Sequence, residues 1–346
     1  MKSTIAPSAA VSGAILLLTG SLTGCGGASP TTRSASAGIG IDIPRTDSAF
    51  WKAYAQYLRA DIAEQNLNVL PITESDGDDT KLAANVKALA AKRPTAIVMA
   101  PQNTTDTSAV LDDLLARHIG AISVDTVPES GETYMVVRAD NRAYGTKSCE
   151  YLGKQLGGKG KVAELQGSLG SINGYDRSQA FAFCMRSEFP GIQVIELATD
   201  WKGDVASAKL QSTLAANPDL NGIYMQAGGV FLQPTLALLQ QKGLLKPVGQ
   251  PGHIAIVSND GIPQELDAIR QGQIDATASQ PADLYAKYAL FYAQAASENR
   301  IFHAGPTDHG STIVLLPNGM EDQLPSVLVT KDNVNDPSLW ANHVTN

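Results

Sequence analysis

The sequence predicts an α/β protein with two lobes, each built on a doubly wound parallel sheet. Three observations predict this fold class. The chain has 346 residues, which is enough for two domains of ordinary size. From Gly38 onward, short β-rich runs alternate with segments of helical apolar periodicity. The same alternation restarts after residue 134, so the second half is expected to repeat the architecture of the first.

The first half begins with a predicted strand over Ile39–Ile43 and a helix. In that helix Phe50, Tyr54, Leu58 and Ile62 recur at four-residue steps and stack on one face. The alternation then continues as strand 67–73, helix 79–92, strand 96–100, helix 106–118 and strand 121–125. Strands separated by helices in this way form a parallel sheet that is covered on both faces.

The second half begins after a predicted strand over residues 134–139. The elements that follow are helix 141–155, strand 161–165, helix 175–189, strand 193–197, helix 204–217, strand 222–226, helix 230–243, strand 254–258, helix 262–270 and strand 276–280. A long helix over 282–298 and strand-like runs at 312–316 and 327–330 complete the chain. They are too few for a third domain.

We therefore predict a hinge in which the chain crosses three times between the lobes. The crossings are expected near Asp140, near Gln280 and Pro281, and between residues 310 and 330. This prediction assigns residues 38–139 and 281–312 to an N-terminal lobe, and residues 140–280 and 313–346 to a C-terminal lobe.

Composition and charge exclude several classes of protein. The chain is 43% hydrophobic and 17% charged, so it has enough apolar surface to fold into a globular body. With 26 Lys+Arg against 34 Asp+Glu, the formal net charge is −8. Nucleic-acid binding needs clustered cations facing phosphates, and the sequence has no run of Lys and Arg to supply them. We therefore expect no nucleic-acid partner.

The N-terminus has the anatomy of an export signal. Lys2 precedes the apolar run Val11–Leu18, which is too short to span a bilayer as a helix. The residues Leu22–Cys25 (LTGC) resemble a bacterial lipobox, so residues 1–24 are predicted to be a lipoprotein signal peptide with Cys25 as the lipidated residue. An ordinary secretory signal with an incidental Cys25 is the alternative. Residues 25–37 are rich in Gly, Ser and Thr, which is typical of a flexible tether.

Two further cysteines, Cys149 and Cys184, lie on predicted helices that flank one strand. An oxidising export compartment permits them to form a disulfide, and two separately buried thiols are the alternative. Neither has a histidine at metal-ligand spacing. The acidic run Glu74–Asp79 lacks the ligand pattern of an EF-hand, and we interpret it as a helix start. We predict no metal and no cofactor.

Polar and aromatic residues follow the predicted strands. Ligands of doubly wound sheets bind outside the carboxyl ends of the strands, and two facing lobes form a cleft there. The residues at these ends are Ser48, Phe50 and Trp51; Asp125 and Thr126; the segment 166–177 with Arg177; Asp200 and Trp201; the segment 226–229 with Ala227; Asn259 and Asp260; and Gln280. Aromatic rings with carboxylates, amides and an arginine suit a neutral polyhydroxylated ligand.

Several stretches in order resemble a known family. They are SAFW at 48–51, ISVDT at 122–126, RADN at 138–141, GGKGKVAELQG at 157–167, YDRSQAF at 175–181, VSNDGIP at 257–263, ATASQP at 276–281 and LVTKDNVNDPSLW at 328–340. Together they resemble a sugar receptor of the ribose-binding type, the solute-binding subunit of an ABC importer. The resemblance covers nearly the whole body from Gly38 and implies the type I periplasmic binding protein fold.

The resemblance also implies roles for individual residues. Phe50 and Trp51 correspond to the aromatic pair that packs against the sugar, and Trp201 to the aromatic of the opposite lobe. The remaining polar contacts correspond to Asp125, Arg177, Asp260 and Gln280. Thr126 and Ala227 depart from the ribose pattern, in which an arginine and an asparagine stand. A different sugar, a polyol or a larger pocket is therefore expected.

Each assignment has a structural alternative. Phe50 could be core packing of its helix, Asp125 a helix cap, and Asp260 part of a turn. Arg177 could pair with a neighbouring carboxylate rather than with a ligand. For Trp201, a position in a loop favours ligand contact over core packing.

The function expected from these features is capture of a monosaccharide or polyol by hinge closure. The partners would be an ABC permease and its ATPase, with the protein exported, lipid-anchored at the membrane and monomeric. A receptor that signals to a membrane sensor is the alternative, because it would use the same closure. None of the five histidines lies in a hydrolase or metalloprotease motif, so we do not expect an enzyme.

Overall fold

The computed structural model describes residues 38–104 and 107–344. The predicted signal peptide, the tether with Cys25 and the predicted helix start at Asp106 therefore lie outside the described residues. None of the described helices has the length and apolar content needed to cross a bilayer.

The first part of the body alternates strand and helix as predicted. Its elements are β1 (Ile39–Ile43), α1 (Ala49–Glu64), β2 (Thr73–Glu74), α2 (Asp79–Ala90), β3 (Ala96–Met99), α3 (Ser108–Ala116), β4 (Gly120–Val124) and β5 (Met135–Ala139). Local capping places the helix starts. Ser48 accepts a hydrogen bond from the amide of Trp51 at 3.3 Å, and Asp78 accepts from the amides of Thr80 and Lys81. The acidic run before α2 is thus a helix start, as predicted.

The second part repeats the pattern. Its elements are α4 (Asn141–Gln155), β6 (Lys159–Gln166), α5 (Ile172–Glu188), β7 (Gly191–Ala198), α6 (Gly203–Ala216), β8 (Gly222–Met225), α7 (Gly228–Gln241), β9 (Ala255–Asp260), α8 (Pro263–Arg270) and β10 (Ala276–Ser279). The C-terminal part consists of α9 (Ala282–Ser297), β11 (Gly305–Pro306), β12 (Thr312–Leu316), β13 (Gly319–Leu324), β14 (Val327–Thr330) and a 3₁₀ turn at Trp340–Asn342.

These strands form two sheets within the described residues. The first has the order β11-β12-β13-β5-β4-β3-β1-β2, and the second β14-β10-β9-β8-β6-β7. Neighbouring strands pair in parallel except at one edge of each sheet. In the first sheet β12 pairs antiparallel with both β11 and β13, and in the second β14 pairs antiparallel with β10. The predicted fold class, two doubly wound α/β lobes, is therefore confirmed.

The chain passes between the sheets at three places in the described residues. The first passage follows β5 at Asp140, whose side chain caps α4, and the second follows β10 at Gln280 and Pro281. The third lies between Leu324 and Val327. The prediction that residues from 313 onward join the C-terminal lobe is wrong for 313–324, because β12 and β13 form a hairpin that pairs with β5 of the first sheet.

The segment after β14 contacts both lobes, although the prediction placed it in the C-terminal lobe alone. Arg270 of α8 donates to the side-chain oxygen of Asn342 at 2.6 Å. On the other side, the hydroxyl of Tyr57 in α1 donates to the carbonyl of Trp340 at 2.8 Å, and the Trp340 ring packs edge-on against Phe50. The C-terminal segment thus connects α8 of the second lobe with α1 of the first.

Helices α4 and α5 pack closely and are covalently linked. Cys149 and Cys184 form a disulfide, with 6.2 Å between their Cα atoms, so the alternative of two separate thiols is not observed. Gly145 is the point of closest approach, because a Cβ there would lie 2.3 Å from the carbonyl oxygen of Arg177. The two helices therefore form one rigid unit behind the cleft between the lobes.

Candidate functional site

A cavity of about 670 Å³ lies between the lobes, at the carboxyl ends of the strands of both sheets. All ten residues predicted to bind ligand line it. They are Ser48, Phe50, Trp51, Asp125, Thr126, Arg177, Trp201, Ala227, Asp260 and Gln280. The cavity volume lies in the range typical of small-molecule sites. Contact of these residues with a ligand stays a prediction.

The first turn of α1 supplies the aromatic wall of the first lobe. Phe50 and Trp51 meet edge to face with 5.0 Å between ring centroids. They are only 5% and 8% exposed, because Phe50 also packs against Tyr285 at 5.6 Å and Trp51 against Tyr54. Phe50 is therefore a core residue that also lines the cavity, and its contact with a ligand stays a prediction.

Trp201 forms the facing wall in the second lobe. It follows β7 in a short loop where Asp200 and Trp201 both have positive φ, of 52° and 58°. The indole covers Gly167, where an added Cβ would lie 2.0 Å from the ring, and it stacks nearly parallel to Phe231 at 6.4 Å. Glycine at 167 is thus needed for the close approach that fixes this ring at the cavity.

Arg177 reaches the cavity floor from α5 and is buried. Its guanidinium donates to the side-chain oxygen of Asn141 at 2.6 Å, the carbonyl of Gln226 at 2.5 Å and the Oε1 of Gln280 at 3.0 Å. Its hydrogen bonds among the described residues go to neutral acceptors, so the alternative of a carboxylate partner is not observed. The Trp201 ring lies 5.7 Å from the guanidinium carbon. Because these acceptors are neutral, they do not cancel the charge of the guanidinium, which can strengthen a hydrogen bond to a ligand in the cavity.

Asp125 follows β4 and is held from several directions. Its Oδ1 accepts from Gln280 Nε2 at 3.0 Å and from the Tyr285 hydroxyl at 3.1 Å, and its Oδ2 accepts from Asn173 Nδ2 at 2.9 Å. Its φ is +67°. These donors are side chains rather than helix amides, so the alternative in which Asp125 is a helix cap is not observed.

Asp260 ends β9 in a backbone conformation with φ of +105°. Its Oδ2 accepts from the amide of Gly229 at the start of α7, at 2.8 Å. Burial raises the pKa of Asp260 to about 6, against the lowering effect of Arg177 and of this amide. Burial and the Asp260 carboxylate also raise the pKa of Glu265 to about 8. Asp260 is thus a carboxylate directed to the cavity, in addition to ending its strand.

Small residues lie where the family resemblance implies long polar side chains. Thr126 is buried, and its carbonyl accepts from the Ser123 hydroxyl at 2.7 Å. Ala227 precedes α7, and Gly229 lies in its first turn. These side chains leave space around the polar groups of the floor. The two departures noted in the sequence thus open the same cavity.

Further lining residues were not among the ten predicted to bind ligand. They are Arg45, Asp47, Gly77, Pro101, Gln102, Ser171, Asn173, Asp200, Lys202, Gly229 and Val230. Gln102 could have been found, because it follows β3 and obeys the same strand-end rule as the others. Asn173 lies in the segment 166–177 that the sequence places at a strand end, but its place beside Asp125 depends on how the lobes meet.

The arrangement can bind but offers no reaction centre among the described residues. Polar groups on the floor supply hydrogen-bond donors and acceptors, and rings on both walls supply apolar faces. No group of three or more His, Cys, Asp or Glu in residues 38–104 and 107–344 is placed to hold a metal ion. A two-lobed α/β fold with such a cleft defines a class of protein: a receptor that captures a small solute between its lobes.

The comparison with known families gives the particular group. A sequence model described as the periplasmic binding protein domain matches residues 39–300, more than half of the chain. The chain belongs to this family, and within it to the ribose-type sugar-binding proteins of ABC transporters. Members bind solutes outside the cytoplasm and are not enzymes.

Individual relatives are distant but extensive. The chain is 24% identical over 261 residues to a xylitol-binding protein of Mycolicibacterium smegmatis, covering 75% of this chain and 72% of that protein. It is 27% identical over 247 residues to a D-apiose import binding protein of Actinobacillus succinogenes, covering 70% and 76%. A solved solute-binding protein of Bacillus halodurans with bound myo-inositol has a TM-score of 0.75 at 17% identity, covering 88% and 98%, which shows the shared fold.

Proposed function

We propose that this protein is the extracytoplasmic solute-binding subunit of an ABC importer and captures a neutral monosaccharide or polyol between its lobes. One observation carries the proposal. A single cavity combines aromatic rings from opposite lobes, Trp51 and Trp201, with the polar floor formed by Asp125, Arg177 and Asp260. Rings suit the C–H faces of a polyhydroxylated molecule, and the floor suits its hydroxyls.

The charge of the floor supports a neutral ligand. Asp125 and Asp260 both face the cavity, and the buried cation among them is Arg177. A phosphate or carboxylate on the ligand would meet two carboxylates, and the opposing charge would lower its affinity. Hydroxyl groups can donate to the carboxylates and accept from the guanidinium, so they satisfy all three side chains.

The small residues at Thr126 and Ala227 support a ligand other than ribose. They supply fewer long donors than the ribose pattern does and leave more room. Among the relatives, one protein is described as binding xylitol and another as an import protein for D-apiose. We therefore place polyols, branched pentoses and hexoses first among the candidate ligands.

The proposal includes the cellular context. The sequence before Gly38 supports export and lipid attachment at Cys25, which would keep a monomeric receptor close to its permease and ATPase. Transport is proposed over signalling to a membrane sensor because the named relatives include import proteins. Hinge closure around the ligand would present the closed surface to the permease.

A thermal-shift screen tests the proposal. The body from Gly38 is heated with pentoses, hexoses, deoxysugars and polyols, and with amino acids as a chemically different set. Ligand at about one hundred times its Kd stabilises by roughly 2.7 kcal/mol, which raises the melting temperature measurably. A shift with one sugar or polyol, lost in Trp201→Ala, supports the proposal. A shift with amino acids alone, or with nothing, contradicts it.

Phe183→Ala provides the matched control for that screen. Phe183 is an aromatic residue of the same lobe, 66% exposed on α5, and it does not line the cavity. Its removal should leave the ligand-induced shift unchanged. An equal loss of the shift in both variants would mean that Trp201→Ala acts through the fold of the lobe rather than through the cavity.

A further inference from the structure

The side chain of Arg138 crosses from the first lobe to the second. Arg138 lies in β5, two residues before the chain passes between the sheets, and it is 3% exposed. Its Nη2 donates to Asn173 Oδ1 at 2.8 Å and to Asp176 Oδ2 at 3.1 Å, both on α5. Within its own lobe its Nη1 lies 3.7 Å from Glu321 Oε2. A buried strand residue of one lobe thus makes its closest polar contacts in the other.

Asn173 carries this contact onward to the candidate binding site. Its Oδ1 accepts from Arg138, and its Nδ2 donates to Asp125 Oδ2 at 2.9 Å. An amide has one acceptor end and one donor end, so the bond to Arg138 fixes which end meets Asp125. The other oxygen of Asp125 is already held by Gln280 and Tyr285. The second lobe therefore completes the set of donors that orients Asp125.

The surroundings of Arg138 make its interlobe contacts energetically significant. A buried guanidinium is stable only when paired, and removal of one partner leaves an uncompensated charge. If the lobes separated at this point, Arg138 would keep Glu321 but lose Asn173 and Asp176, and Asp125 would lose one amide donor. A cavity of about 200 Å³ is lined by Arg138, Asp176 and Glu321.

We propose that Arg138 and Asn173 are positioning residues that couple closure of the lobes to the orientation of Asp125. The proposal rests on the function proposed above. When the lobes meet, the chain of contacts from Arg138 through Asn173 to Asp125 forms, the binding carboxylate is held, and the closed state is stabilised. These contacts break when the lobes open, so Arg138 and Asn173 govern how fast a bound molecule leaves.

Two variants and a matched control test this proposal. Arg138→Met removes the charge with similar bulk, and Asn173→Ala removes the amide without creating a new charge. Arg142→Met is the control, because Arg142 pairs with the same Asp176 at 3.7 Å but lies on α4 of the same lobe and is exposed. Binding and release of xylitol, D-ribose and myo-inositol are followed by stopped-flow tryptophan fluorescence.

Arg138→Met should raise the dissociation rate about ten- to hundredfold, with the association rate within about threefold of wild type. Asn173→Ala should also raise the dissociation rate. The double variant should release the ligand only slightly faster than Arg138→Met, because both residues act through the same series of contacts to Asp125. Arg142→Met should match wild type. A purely structural role would lower the melting temperature without this selective change in release. Unchanged release in both variants, or equal change in Arg142→Met, overturns the proposal.

A ligand-free measurement separates this test from the proposed function. Small-angle scattering of the unliganded protein should give a larger radius of gyration for Arg138→Met than for wild type and Arg142→Met, because the open form gains population. An unchanged radius contradicts the coupling. If none of the three probes binds to wild type while the radius changes as expected, none of the three is the ligand but the coupling stands.

Discussion

At the scale of the residue, the lining aromatics differ in how much of the fold they support. Phe50 packs against Trp51, Tyr285 and Trp340, so it holds together α1, α9 and the C-terminal segment. Trp201 is half-buried in a loop and stacks on Phe231. The two rings face one cavity, but only the Trp201 ring can be removed without opening a core.

Trp201→Ala should therefore weaken binding much more than it weakens the fold. Loss of the ring face should lower affinity at least tenfold, with an unfolding free energy within about 1 kcal/mol of wild type. Phe50→Ala should instead cost about 3–5 kcal/mol of stability, the usual range for a buried phenylalanine. Titration calorimetry and urea denaturation of both variants measure the two effects. Normal binding by Trp201→Ala would contradict the assignment of the cavity.

Asp260 should make binding depend on pH. Because burial raises its pKa to about 6, Asp260 is ionised at pH 7.5 and becomes protonated as the pH falls towards 5. A charged acceptor makes a stronger hydrogen bond than a neutral one, so affinity for a neutral polyol should fall about three- to tenfold over that interval. Glu265, whose pKa is raised to about 8 by burial and by the Asp260 carboxylate, is mostly protonated at pH 7.5 and becomes fully protonated as the pH falls.

Asp260→Asn is the control for this dependence. The amide keeps the shape of the carboxyl group but does not titrate, so binding by the variant should be weaker at pH 7.5 and nearly constant down to pH 5. The measurement is the Kd by calorimetry at several pH values. An identical pH profile in wild type and variant would assign the dependence to another group.

Single residues of the site were predictable where the strand-end rule applies. Asp125, Trp201, Ala227, Asp260 and Gln280 each lie at, or just past, the carboxyl end of a strand that the sequence predicts. Asn173 and Arg138 were not predictable as neighbours of Asp125. They lie on different elements, 35 residues apart, and meet only because the lobes touch. A one-dimensional pattern carries no information about such a contact.

At the scale of the element, β13 and β2 depart from the sequence pattern for different reasons. β13 reads GMEDQL, which lacks an apolar run, yet Glu321 and Asp322 are buried. Glu321 lies 3.7 Å from Arg138, and one carboxylate oxygen of Asp322 is hydrogen-bonded to Tyr292 and His309. β2 was expected over 67–73 but covers only Thr73–Glu74, because Pro71 cannot donate to a ladder. Strands whose buried charges are paired cannot be recognised from hydropathy.

The disulfide between α4 and α5 should contribute to stability rather than to binding chemistry. It joins residues 35 apart, and loss of a disulfide closing such a loop typically costs about 2–4 kcal/mol. The double substitution Cys149→Ser and Cys184→Ser should lower the unfolding free energy by that amount. Reductant should lower wild-type stability to the same level and leave the double variant unchanged. Urea denaturation with and without reductant measures this, and a variant as stable as wild type would contradict it.

At the scale of the whole molecule, two sheets and three passages of the chain form a cleft whose polar groups come from both sides. The sequence was sufficient to predict the two lobes and the first two passages, because each is marked by a strand and a helix in succession. The third passage lies within the predicted interval of 310–330, but the predicted lobe boundary after residue 312 was too early, since the hairpin of β12 and β13 returns to the first sheet before the chain crosses. The pairing of β13 with β5 joins distant parts of the sequence, and no local sequence pattern marks it.

A ligand held by both lobes stabilises the closed arrangement by its difference in affinity for the closed and open forms. Arg177 illustrates this organisation, because it connects α5 with Asn141 and Gln280, which lie beside two of the passages between the lobes. Contacts at the passages and contacts at the cavity are therefore shared. On the proposed function, this arrangement would couple occupation of the cavity to the position of the lobes.

The central claim is that one neutral polyhydroxylated molecule binds between the lobes. Isothermal titration calorimetry of the body from Gly38 with the best sugar or polyol of the thermal screen tests it most directly. We predict one molecule bound per chain, with affinity lowered at least tenfold by Asp125→Asn in the first lobe and by Trp201→Ala in the second. Absence of binding by every sugar and polyol, or undiminished binding by both variants, would contradict the account.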